Sequence, residues 1–66
     1  MNKFIFIEKA NVILNLNEIS HVYIKELDDS FILNIAMKNE GIVEIVFETK
    51  SEAIKELKKL FFYLDK

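Results

Sequence analysis

The sequence contains no cysteine, proline, tryptophan or arginine, and it has one glycine and one histidine. Without cysteine there can be no disulfide framework and no thiolate site. A single histidine cannot supply an imidazole cluster for a metal, and a single glycine cannot build a phosphate-cradling loop. We therefore expect neither a metal nor a cofactor.

The charge balance argues against nucleic acid as the main partner. All nine basic residues are lysines, and eleven acidic residues give a formal net charge of −2. Domains that bind a phosphate backbone are usually basic, and arginine supplies the planar fork that grips phosphate or guanine. Both features are missing from this sequence.

The chain is short and unusually apolar for its length. Sixty-six residues form one domain, and a domain of this size buries only about 60% of its unfolded surface. Hydrophobic residues nevertheless make up 52% of the chain. This excess of apolar residues predicts association with another chain.

An apolar run near the N-terminus is interrupted by Glu8, Lys9 and Asn11, unlike the core of a signal peptide. No run approaches the ~20 apolar residues that span a bilayer. We therefore expect a cytoplasmic bacterial protein without a membrane partner.

Short β-branched and aromatic runs separated by polar turns predict five strands. We place these strands at 3–8, 11–16, 21–27, 31–38 and 42–48. Residues 17–20 predict a tight turn that tucks Ile19 inward. The only glycine, Gly41, is expected to take the left-handed position of a bulged hairpin turn.

A helix is predicted over 50–64. Thr49 and Glu52 match the capping box that opens a helix. Ala53, Ile54, Leu57, Leu60, Phe61 and Leu64 follow at the spacing of one apolar stripe. The fold class is therefore α+β, an antiparallel β-meander of about five strands packed on one face by a single C-terminal helix.

The predicted strands are apolar on both sides, while one helix of this length covers only one face of a sheet. Phe62 and Tyr63 also fall off the helix stripe. We therefore predict a homo-oligomer, with a dimer as the first expectation. The predicted interface residues are Ile13, Tyr23, Ile32, Ile42, Val46, Phe62 and Tyr63. Two residues of 4–7 join this second face, but the pattern leaves open which two.

We expect no enzyme and predict no catalytic residues, because His21 is the only histidine. Ser20 precedes it directly, and neighbours on a strand point to opposite sides. Our leading hypothesis is therefore a non-enzymatic, homo-oligomeric protein-interaction module. An enzyme subunit whose site is completed across an oligomer interface by His21 and Glu44 ranks third.

The alternative to an interaction module is a single-stranded nucleic-acid-binding domain. Tyr23 and Lys25 share one strand face, and Lys38 lies on the neighbouring strand. Aromatic rings beside cations can stack the bases of a single strand.

The segments ILNLNEISHVYI (13–24) and FETKSEAIKELKKL (47–60) resemble a group of short bacterial and phage proteins. Those proteins have a strand, a turn like NLDNI, further strands and a helix that opens with F-x-S-x-E-E-A. The resemblance implies a small meander-plus-helix domain and carries no activity. A weaker fold-level similarity is to coactivator and Whirly-type domains, which bind single strands on a sheet. This chain differs from them in its net acidity and its lack of arginine.

Overall fold

The computed structural model describes residues 3–64 of the chain. Its elements are β1 (Phe4–Ile7), β2 (Val12–Asn15), a 3₁₀ turn (Leu16–Glu18), β3 (Ile19–Leu27), β4 (Ser30–Met37), β5 (Ile42–Phe47) and α1 (Lys50–Leu64). Every strand pair is antiparallel. The predicted α+β class, with antiparallel strands followed by a C-terminal helix that packs on them, is confirmed.

The five strands divide into two sheets instead of continuing as one. β1 and β2 form a hairpin, whereas β3, β4 and β5 form a three-stranded meander. The chain changes sheet at the 3₁₀ turn, where Asn17 N donates to the side-chain oxygen of Asn15 at 3.0 Å. Ile19 is buried, as predicted, but it already belongs to β3, which begins two residues before the predicted start at residue 21.

The core lies between the inner side of the meander and a layer made by α1 and the hairpin. α1 packs on β3, β4 and β5, and Lys9 Nζ lies 5.2 Å from the ring centroid of Phe47 on β5. The buried apolar residues are Ile5, Ile7, Leu14, Leu16, Ile19, Leu33, Ile35, Ile45, Phe47, Ala53 and Leu60. The hairpin and the helix therefore cover the inner side of the meander together.

Three turns place a non-glycine residue at a positive φ. These residues are Asn11 (53°), Asp28 (48°) and Glu40 (72°). The prediction for Gly41 is wrong, because its φ is not positive. Glu40 N donates to Met37 O at 3.0 Å, and Met37 N donates to Gly41 O at 2.8 Å. The turn thus closes one residue earlier than predicted, and Glu40 occupies the left-handed position.

The helix begins at Lys50, directly after the predicted cap. Thr49 Oγ1 accepts a hydrogen bond from Glu52 N at 3.2 Å and donates one to Glu52 Oε1 at 3.0 Å. The first half of the capping box is therefore present. In the second half, the Glu52 carboxylate accepts a hydrogen bond from the Thr49 hydroxyl. In the standard capping box, this carboxylate accepts from the backbone N–H of the cap residue instead.

The helix buries a narrower stripe than the sequence predicts. Ala53 and Leu60 are fully buried, and Leu57 packs against the core. Phe61 and Leu64 were predicted on the same stripe, but both are exposed, Phe61 at 67%. The hairpin occupies part of the same layer, so α1 contacts the meander along a narrow stripe. Side chains beside that stripe remain exposed to solvent.

Candidate interaction surface

The outward side of the meander carries most of the predicted interface. Residues paired directly across antiparallel strands project from the same side of a sheet. The register gives three rows on this side: Lys25 with Ile32 and Val46, Tyr23 with Asn34 and Glu44, and His21 with Ala36 and Ile42. We call these nine residues the open face, since α1 and the hairpin both pack on the other side of the meander.

Apolar side chains at the open face are solvent-accessible. Ile42 is 59% exposed, Val46 is 53% exposed and Tyr23 is also exposed. Ile32 and Ala36, on the central strand, are partly buried between their neighbours. Four of the predicted interface residues, Tyr23, Ile32, Ile42 and Val46, therefore share one surface.

The centre of the open face is occupied by Asn34. Although it points outward, it is only 2% exposed. Its Nδ2 donates to the backbone oxygen of Ile32 at 3.2 Å, and Tyr23 and Glu44 flank it in its row. The amide is thus covered by its neighbours, and the open face is a continuous surface.

An imidazole lies at the rim of the open face. The rings of His21 and Tyr23 are stacked, with centroids 5.7 Å apart and planes 17° apart. Ser20 Oγ and His21 Nδ1 are 3.2 Å apart, so the prediction that these two side chains point to opposite sides is wrong. The register of β3 shifts between Ile19 and His21, and such a bulge breaks the normal alternation of side chains.

The fold does not bring together Tyr23, Lys25 and Lys38, the residues predicted to bind a single-stranded nucleic acid. Lys25 lies on the open face beside Tyr23, with Glu44 in the neighbouring row. Lys38 instead lines a cleft at the base of the hairpin, together with Lys3. A stacking platform for single strands needs aromatics in a basic groove, and this face offers one lysine and one glutamate.

Ile13 lies on a second surface, the outer side of the hairpin. It pairs with Phe6 and is 66% exposed. Ile5 and Ile7 are buried, so Phe4 and Phe6 point outward. This orientation answers the question that the alternating sequence of β1 left open. We call Phe4, Phe6 and Ile13 the hairpin face.

Phe62 and Tyr63 belong to a third surface. Their rings meet edge to face, with centroids 5.7 Å apart, and Phe62 is 58% exposed. We call residues 61–64 the helix end, because all four side chains there are exposed. Phe61 and Leu64 were missed as surface residues because their spacing matched the buried stripe. The predicted interface is thus spread over three surfaces.

Within residues 3–64, no group of three or more histidine, aspartate or glutamate side chains could hold a metal ion. In the same part of the chain, no helix is long and apolar enough to cross a membrane. No family model, curated protein or solved structure matches this chain.

Proposed function

We propose that this protein is a homo-oligomeric interaction module that dimerises through its open face. The observation that supports the proposal is the exposure of Ile42, Val46 and Tyr23 on one sheet side that the described chain leaves uncovered. Burying an apolar side chain of this size contributes about 1.5–3 kcal/mol. A second copy would supply a matching apolar surface.

The size of the open face predicts a weak dimer. Three strands about 4.8 Å apart, each contributing about six residues of 3.3 Å, form a surface of roughly 14 by 20 Å. A standard interface buries about 800 Å² of accessible surface on each partner, and a flat footprint of roughly 280 Å² carries less accessible surface than that, even allowing for the relief of its side chains. We therefore expect a dissociation constant in the micromolar range or weaker.

Two arrangements with two-fold symmetry would place the whole open face of one copy against the open face of the other. The charged groups of the open face favour one of these two arrangements. If the axis runs along β4, Tyr23 faces the partner's Glu44, and Lys25 lies one row away from that carboxylate. If the axis crosses the strands, Glu44 faces the partner's Glu44. Like charges opposed across an interface are costly, so we propose the axis along β4.

Three matched substitutions identify the surface that associates. Ile42→Lys, Ile13→Lys and Phe62→Lys each add one charge at a side chain that is more than half exposed, on the open face, the hairpin face and the helix end respectively. Light scattering after size exclusion, from micromolar to near-millimolar concentration, should show the 7.8 kDa chain doubling in mass. Only Ile42→Lys should abolish that increase.

The proposal fails if the unmodified chain keeps its monomer mass over the whole range. It also fails if Phe62→Lys or Ile13→Lys dissociates the assembly while Ile42→Lys does not. Glu44→Gln then tests the axis. It should weaken the dimer in the proposed arrangement, because a neutral amide replaces the carboxylate that faces the partner's Tyr23 and lies one row from the partner's Lys25. Tighter association would support the arrangement in which Glu44 meets its own copy.

A further inference from the structure

We propose that the cleft at the base of the hairpin binds a small organic anion with an apolar part. Its volume is about 560 Å³, which lies within the ~300–1,000 Å³ of small-molecule sites. The lining residues are Lys3, Leu16, Asn17, Ile19, Lys38, Tyr63 and Leu64. We call this site the lysine cleft; it is separate from the open face, and the inference does not depend on dimerisation.

Backbone hydrogen bonds hold the two lysines on either side of the 3₁₀ turn. Leu16 N donates to Lys3 O at 2.8 Å, and Lys38 N donates to Glu18 O at 2.7 Å. The turn is therefore held between the chain before β1 and the end of β4. Each of these segments contributes one lysine, so the fold brings the two backbone positions to one cleft although the residues are far apart in sequence.

The charge of the cleft is positive although the whole chain is acidic. Among residues 3–64, no carboxylate side chain lines the cleft. Between residues 3 and 64 the structure has one ion pair, Lys50 with Glu26, so neither Lys3 nor Lys38 is neutralised by a described carboxylate. Two lysine ammonium groups that line one cleft, without a counter-charge among the described residues, attract a carboxylate or a phosphate.

The lining of the cleft is mainly polar, and the remaining residues add a smaller apolar portion that can contact a short alkyl group. Leu16 and Ile19 are buried core residues whose surface forms part of the cleft, and Leu64 closes it from the helix end. Tyr63 adds an aromatic ring with a hydroxyl group. A concave site that combines cationic groups with a smaller apolar surface suits an anion that carries an apolar part. The expected ligand is an amphipathic monoanion or dianion.

Octanoate and octyl phosphate are suitable probes, because they share the alkyl chain and differ in the anionic group. Octylammonium, with the same chain and the opposite charge, is the control ligand. Binding should be followed by amide chemical shifts of the full chain. We expect the shifts on octanoate addition to be confined to the residues around the lysine cleft and to be absent with octylammonium.

The double variant K3Q/K38Q removes both positive charges, and K55Q/K59Q removes the same number from exposed positions on α1. Loss of two charge-assisted contacts should raise the dissociation constant about tenfold or more in K3Q/K38Q. K55Q/K59Q should stay within about twofold of the unmodified chain. All these side chains are exposed, so both variants should retain a dispersed spectrum.

Three results would overturn the inference. The first is no shift for octanoate or octyl phosphate up to ~10 mM, tenfold above a millimolar dissociation constant. The second is binding of octylammonium with the same affinity as octanoate, which would mean that the alkyl chain alone adsorbs to the protein. The third is an equal effect of the two double variants, which would mean attraction to general surface charge. Preference for octyl phosphate over octanoate would support the site and identify a phosphate as its preferred head group.

Discussion

Replacing Glu40 with glycine should stabilise the fold, although it removes a side chain. Glu40 has a φ of 72°, in the left-handed region that costs a residue with a Cβ about 1–2 kcal/mol. Glycine avoids this cost but loses more conformational freedom on folding, about 0.5–1 kcal/mol. The net gain should be about 0.5–1 kcal/mol. For a domain of this length, Tm changes by about 4–8 °C per kcal/mol.

The matched control is Gly41→Ala. Gly41 does not have a positive φ, so alanine can adopt its backbone conformation. An added Cβ would lie 3.1 Å from Asn39 Oδ1, which requires a small movement of the asparagine. The expected change is a loss of less than about 1 kcal/mol, because no left-handed strain is introduced.

Urea unfolding followed by circular dichroism measures both variants. It should be run at one low micromolar concentration, because association stabilises the folded state by mass action. A rise in the midpoint for Glu40→Gly with an unchanged slope supports the turn described here. If Glu40→Gly lowers stability while Gly41→Ala costs more than about 1 kcal/mol, Gly41 holds the left-handed position and our assignment of the turn is refuted.

Three further substitutions test the helix. Thr49→Ala removes the hydroxyl that accepts from Glu52 N, and loss of such a cap should cost about 1 kcal/mol in chemical unfolding; no measurable change would show that the cap is replaced by water. Leu60→Ala should cost about 2–5 kcal/mol because the side chain is fully buried. Phe61→Ala at its exposed neighbour should cost less than about 0.5 kcal/mol. Equal costs for the last two would contradict the helix orientation.

Local alternation predicted the two sides of the meander well. In β4 and β5, outward Ile32 and Val46 alternate with inward Leu33 and Ile45, as the period of two requires. The turn at Gly41 was placed one residue late, because four consecutive polar or small residues do not fix which one closes the hydrogen bond. Turn register depends on strand pairing, which the sequence does not specify at single-residue precision.

The division into two sheets could not be read from the sequence. A short polar segment after β2 has the same pattern whether it joins paired strands or redirects the chain, and here it forms the 3₁₀ turn at Leu16–Glu18. Once the hairpin lies beside α1, the predicted interface separates into several surfaces, and Phe61 leaves the core. These outcomes depend on tertiary packing, which overrides local periodicity. The lysine cleft was missed for the same reason, since Lys3 and Lys38 come to line one cleft only in the folded chain.

The order of pairing also determines how the chain folds. Every strand pairs with a strand adjacent to it in sequence, and local connections of this kind favour fast folding for a protein rich in strands. A hairpin can form in microseconds, but a helix as short as α1 is marginal without packing partners. If the meander forms before α1 docks, it exposes apolar side chains on its open face and on the part of its inner face that α1 covers. That interval is when unwanted aggregation is most probable, and docking of the helix ends it for the inner face.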